Sequence, residues 1–183
     1  MKILIDANVL YPTVMREVVL GVARVGLFEP RWSARILEEW ARAAGRLGPD
    51  VEAQARGEIV MLQAAWPQAE IRYLSELEAR LWLPDSNDIH VLAAAVSDSV
   101  DAIMTANFKD FPRNILAEEG LIRFGPDNYL KGCAESNITA VFPVASAVLS
   151  EARRLSGEDW TMRKLMKKAR LPLFGKAIER LSC

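Results

Sequence analysis

The most constraining feature of this 183-residue chain is the run Lys2-Ile3-Leu4-Ile5-Asp6, in which three consecutive β-favouring apolar residues end on a carboxylate. An apolar run without polar alternation belongs to a strand buried on both faces, the pattern of a parallel sheet covered by helices. A charge within such a core is costly unless it is paired. At the carboxyl end of a parallel strand it instead faces the crevice where open α/β sheets bind ligands.

The rest of the chain repeats the strand-then-helix theme. Residues 13–25 place Val14, Val18, Val22 and Val25 at helical spacing, and Gly26 closes the segment. Residues 27–32 are a weak second strand. Ser33 then caps a helix whose Ile36, Trp40, Ala43 and Leu47 share a face, and which carries Glu38 and Glu39. Gly48-Pro49-Asp50 breaks this helix, residues 51–66 and 75–83 are predicted helical, and EIRYL between them is a third strand. Pro84-Asp85-Ser86-Asn87-Asp88 supplies caps for an alanine-rich helix with Asp88 in its first turn. DAIMTAN is a further buried strand, FKDFPRNIL a loop entering a short helix, and LIRF a last strand. This alternation predicts an α/β fold, a doubly wound parallel sheet flanked by helices. Character changes near GPDNY at 125–129. A domain over residues 1–125 and a helical C-terminal extension over 126–183, built of two helical stretches, are therefore expected.

Composition narrows the class. With 51% hydrophobic residues the chain can bury one good core and a small appendage. No apolar run reaches membrane-spanning length, and Asp6, Arg16, Glu17 and Arg24 interrupt the first 30 residues, so a membrane span or signal peptide is not expected and a cytoplasmic location is. Cys133 and Cys183 are far apart and are read as free thiols. Charge is unevenly spread: residues 1–150 hold 14 Lys/Arg against 20 Asp/Glu, and residues 151–183 hold 9 against 4.

Four acidic positions stand out: Asp6 after the first strand, Glu39 or its neighbour Glu38 on the second helix, Asp88 at the start of the alanine-rich helix, and Asp110 after the fifth buried segment. Carboxylates gathered in a crevice repel one another, and a hard divalent cation with oxygen ligands is the commonest remedy. Mg²⁺ or Mn²⁺ held this way suits phosphodiester hydrolysis. Taken singly, each acid has an ordinary role as a cap, a turn residue or part of a solvated helix face; only the set argues for chemistry. Asp85 is read as a turn former, and lone His90 as a structural or substrate-contacting residue. One histidine and two remote cysteines make no zinc cluster, and no Gly-rich phosphate loop is present.

The stretches ILIDANVL, SARILEEWARAAGRL and LPDSNDIHVLAAAVSDSVDAIMTANFKDFP, in this order over roughly residues 1–125, resemble the PIN-domain family of metal-dependent ribonucleases, especially its VapC-like toxin branch. The resemblance implies a divalent-metal site of Asp6, Glu39 and Asp88, with Asp110 or Asn107 as the fourth member. Glu39 is preferred over Glu38 because it precedes the large apolar Trp40. Asn107 departs from the aspartate many family members carry two residues after the threonine; its amide can accept or orient through its carbonyl oxygen but contributes no charge. Asn8 is expected to orient Asp6, and Thr105 to hydrogen-bond a carboxylate or a substrate phosphate. The implied reaction cleaves RNA with a metal-activated water, leaving a 5′-phosphate and a 3′-hydroxyl. An antitoxin protein and a second copy of the chain are the implied partners. A phosphatase of the haloacid-dehalogenase type also starts from a first-strand Asp, but it needs a second Asp or a Gly-Thr pair just afterwards, and Ala7-Asn8-Val9-Leu10 offers neither.

RKLMKKAR at 163–170 sets Arg163, Lys164, Lys167, Lys168 and Arg170 against an apolar side of Met162, Leu165, Met166 and Ala169. An acidic pocket repels the phosphodiester backbone, so a nuclease needs cations elsewhere. Lys164, Lys167 and Lys168 are candidates to supply them, or to bind an antitoxin or another subunit.

Overall fold

A computed structural model describes residues 1–181 of the chain. Cys183 lies outside the described residues; Cys133 is a buried free thiol. The chain divides into two compact units, one of Met1–Tyr11 with Glu29–Phe124, the other of Pro12–Phe28 with the helices from Gly125 onward.

The first unit is built on five strands, β1 (Lys2–Ile5), β2 (Glu29–Ser33), β3 (Glu70–Ile71), β4 (Ala102–Met104) and β5 (Ile122–Phe124). All neighbours pair in parallel, in the order β3-β2-β1-β4-β5. The fold is therefore α/β with an all-parallel sheet flanked by helices. Central strands β1 and β4 are fully buried from Ile3 to Ile5 and from Ala102 to Met104, as their unbroken apolar runs require. From β1 the chain fills one side of the sheet with β2 and β3, then returns to place β4 on the other side of β1. The boundary between β1 and β4 is the topological switch point, where such sheets form their binding crevice.

Five helices belong to this unit: α1 (Ala7–Leu10), α3 (Ala34–Gly45), α4 (Pro49–Ala65), α5 (Ile89–Ser97) and α6 (Arg113–Glu118), α2 (Thr13–Arg24) being assigned to the second unit. Ser33 caps α3 by accepting a hydrogen bond from the Ile36 amide at 3.3 Å. Ile36, Leu37, Trp40, Ala41 and Ala44 form its buried face, whereas Leu47 lies beyond its end and is exposed. Helix α3 ends at Gly45, and Gly48-Pro49-Asp50 starts α4, where Pro49 occupies a first-turn position at which no N–H is missed. In α5 the consecutive alanines Ala93, Ala94 and Ala95 are all fully buried. Residues 75–83, predicted helical, hold only a 3₁₀ stretch over Ser75–Arg80 without a buried residue; a segment with no apolar face to bury has little to stabilise a longer helix.

The second unit is helical. It comprises α2 (Thr13–Arg24), α7 (Pro126–Ser136), α8 (Ile138–Ser156), α9 (Met162–Lys168) and α10 (Pro172–Leu181). Helix α2 buries Val18, Val19 and Val22, and its Gly21 meets Val144 of α8, leaving no room for a side chain there. Phe28 and Tyr129 pack edge to face at 5.5 Å. The last helical stretch expected from sequence is two helices, not one. Pro172 has no amide hydrogen to continue α9, and Arg170 turns the chain at φ 61°. Asp127 of α7 then accepts from the amides of Leu173 and Phe174 at 3.0 and 2.8 Å, capping α10. Among the described residues no helix is long and apolar enough to cross a membrane.

Candidate metal centre

The crevice at the β1/β4 boundary is assembled within the first unit. Asp6 follows β1 in extended conformation, and its carbonyl accepts the first bonds of α1, from Val9 and Leu10 at 3.0 and 3.2 Å. Its side chain is therefore not consumed as a cap. With only 5% of its surface exposed, the carboxylate accepts from Thr105 Oγ1 at 2.7 Å and from Asn8 Nδ2. Asn8 cannot easily turn over, because its Oδ1 accepts from the Ala106 amide at 2.9 Å. Thr105 is fixed in turn by the Asn107 amide, which donates to its Oγ1 at 2.9 Å. Residues after β1 and β4 thus clamp one carboxylate. Burial pushes the Asp6 pKa up; the Thr105 hydrogen bond opposes this and the nearby charge of Glu39 adds to it.

Helix α3 contributes two adjacent glutamates that meet different partners. Glu38 turns to cations, accepting from Arg42 at 3.0 Å and Arg56 at 2.9 Å; hydrogen bonds from Arg56 and then Arg42 hold it down to about pKa 2. Glu39 faces the crevice, where its charge raises the pKa of both Asp6 and Asp88. Fully buried His90, at the start of α5, places Nε2 2.7 Å from Glu39 Oε1, although not on the line of an aligned hydrogen bond.

The turn before α5 brings two more acids. Asp85 Oδ1 accepts from the Asn87 backbone and side-chain nitrogens at 2.9 and 3.0 Å, as expected of a turn former. It does a second thing that sequence reasoning missed. Residues Ser86–Asp88 form a 3₁₀ turn, in which positions three apart stack, and Asp85 and Asp88 are three apart. One carboxylate oxygen from each of Asp85, Asp88 and Asp110 lies within 4.8 Å of the others. The three-residue spacing at a helix start was the available signal. Asn107 spans this group, donating from Nδ2 to Asp110 at 2.7 Å and to Asp88 at 3.4 Å. Asp88 records the crowding: burial first, then the charges of Asp6, Asp85, Asp110 and Glu39, push its pKa up to about 6.

Asp6, Glu39, Asp88 and Asp110 are thereby gathered in one electrostatic field, with Asn8, Thr105 and Asn107 threaded between them. Lys164, Lys167 and Lys168 belong to α9 of the second unit, where all three are exposed. An all-oxygen set of crowded carboxylates fits a hard divalent cation, whose charge would offset both the burial and the neighbouring charges that raise Asp88.

A parallel α/β sheet with an acidic cluster at its switch point is an arrangement compatible with divalent-metal binding. More particularly, the family model described as PIN domain matches residues 2–109, and the chain belongs to that family. PIN domains are generally nucleases, and the acidic cluster is compatible with metal binding. No curated protein and no solved structure matches the chain.

Proposed function

We propose that the chain is a divalent-metal-dependent endoribonuclease. The observation that carries this reading is the grouping of Asp85, Asp88 and Asp110, whose carboxylate oxygens lie within 4.8 Å of one another, close enough to Asp6 and Glu39 for the charges of both to act on Asp88. Asp6, Glu39, Asp88 and Asp110 would hold Mg²⁺ or Mn²⁺, with Asp85 beside them. A cation bound there supplies an activated water and neutralises charge on the scissile phosphate. The chain's own residues prepare the site. Thr105 and Asn8 fix the Asp6 carboxylate, Asn107 orients Asp88 and Asp110, and His90 sits against the Glu39 carboxylate. Lys164, Lys167 and Lys168 would hold RNA through its phosphates. By resemblance to the VapC-like branch, the chain is the cytoplasmic toxin of a toxin-antitoxin pair and forms homodimers. The extent 1–125 for the nuclease domain, with 126–183 as its extension, is proposed with it.

A second reading is favoured by one observation. Asn107 turns N–H, not oxygen, toward Asp88 and Asp110, and so partly quenches the acidic group without a cation. On that reading the chain is a PIN-like binding module with little or no cleavage. Incubating single-stranded RNA with the protein and Mn²⁺, beside Asp6→Asn and Asp88→Asn variants, separates the two. Metal-dependent cutting that both variants abolish supports the enzyme; equally little cutting by all three supports the module.

A further inference from the structure

Within the helical unit, an open cleft of about 530 Å³ is lined by Lys131 of α7, Arg163 of α9 and Lys176 and Arg180 of α10, with Leu173, Ala177 and Glu179. Four cations from three helices face one acid. The convergence has a structural cause. Gly175 lacks a side chain where a Cβ would fall 2.7 Å from Met166 Cβ and 3.8 Å from Arg163 Cα, so α9 and α10 approach closely and bring Arg163 beside Lys176. The Asp127 cap fixes the start of α10 against α7. Glu135 already engages Arg180 at 2.7 Å and Lys131 at 3.7 Å. Among the described residues no ion pair engages Arg163 or Lys176, so these two hold the uncompensated charge of the cleft.

We infer that this cleft binds the phosphate backbone of single-stranded RNA, an assignment of ligand that rests on the ribonuclease reading. A polyanion with regularly repeated charge is the partner that suits it. The basic face does not stop at the cleft but continues along α9 through Lys164, Lys167 and Lys168, all exposed, a track longer than a single phosphate or carboxylate can use. Leu173 and Ala177 give the wall an aliphatic surface against which a sugar or base can rest without sequence readout. Such binding is sequence-tolerant and strongly salt-dependent.

The test uses the full chain in EDTA, so that binding is read whether or not the protein cuts RNA. Fluorescence anisotropy of a labelled single-stranded oligoribonucleotide is followed across a salt series for wild type, for Arg163→Gln with Lys176→Gln, and for a charge-matched control, Arg46→Gln with Arg72→Gln. Loss of two phosphate contacts should weaken binding roughly tenfold and flatten the log–log salt slope by about 1.4, while the control binds as wild type. Unchanged affinity in the cleft variant, or equal weakening in the control, overturns the inference. So does capture of polyglutamate in place of RNA, which would assign the cleft to an acidic polypeptide. Failure to cleave RNA with Mn²⁺ would remove the nuclease reading but leave this binding result standing or falling by itself.

Discussion

Replacing Asp88 by asparagine should stabilise the metal-free protein above about pH 4, with the gain complete a little above pH 6. The native Asp88 carboxyl keeps its proton up to about pH 6, against 3.8 for an ordinary aspartate. Between these values the folded state binds more protons than the unfolded chain, so stability contributed by this site falls as pH rises from about 4 through 6 and is flat beyond. Two pKa units correspond to about 3 kcal/mol; the carboxyl is only partly buried, so screening by solvent reduces this to about 1–2 kcal/mol. Asp88→Asn carries no charge at any pH and escapes the loss. Urea unfolding in EDTA should show the variant about 1–2 kcal/mol more stable than wild type at pH 8 and equal to it near pH 4. Adding Mn²⁺ at pH 8 should reverse the order, since a cation that binds the native state stabilises it by mass action and the variant has lost a ligand. A variant that is less stable at pH 8, or a difference that does not change with pH, would refute the electrostatic reasoning behind the site.

Other substitutions separate the roles of neighbouring residues. Glu39→Gln should abolish metal-dependent RNA cleavage while Glu38→Gln leaves it within about twofold, because Glu38 is spent on Arg42 and Arg56; initial rates at saturating Mn²⁺ decide this. Asn107→Ala removes the donor that orients Asp88 and Asp110, and metal affinity measured by titration calorimetry should fall about 10- to 100-fold. In the helical unit, Gly175→Ala places a methyl 2.7 Å from Met166 Cβ and should cost about 1–3 kcal/mol in thermal or urea unfolding. Asp127→Ala removes the cap of α10 and should cost about 1 kcal/mol by the same measurement.

Much of this architecture was legible in local sequence, for definable reasons. The strands with unbroken apolar runs, Ile3–Ile5 and Ala102–Met104, are also the ones that sit centrally in the sheet. Ser33 and the caps before α5 mark helix starts because a side-chain oxygen there satisfies an orphan amide, a requirement local enough to be read from spacing alone. What could not be read depended on partners distant in sequence. Sequence prefers Glu39 over Glu38 only because it precedes Trp40; that Arg56, eighteen residues from Glu38, draws Glu38 to α4 is a reason no local pattern carries. Asp85 looked complete as a turn former, and its second role emerges only when Asp110 arrives from beyond β4. The division of 162–181 into two helices turns on Arg170 adopting φ 61°, which no propensity favours, although Pro172 marked the place. Likewise, the assignment of α2 to the helical unit follows from Gly21 meeting Val144, a contact between segments more than a hundred residues apart.

The central claim, that the acids at the β1/β4 boundary form a divalent-metal centre, is tested most directly by locating the cation. Crystals soaked in Mn²⁺ and measured at the manganese absorption edge should give an anomalous peak among the carboxylates of Asp6, Glu39, Asp88 and Asp110. They should give none there in Asp6→Asn crystals treated identically. A wild-type map with no peak in this crevice, or with manganese only at other acidic groups, would contradict the account.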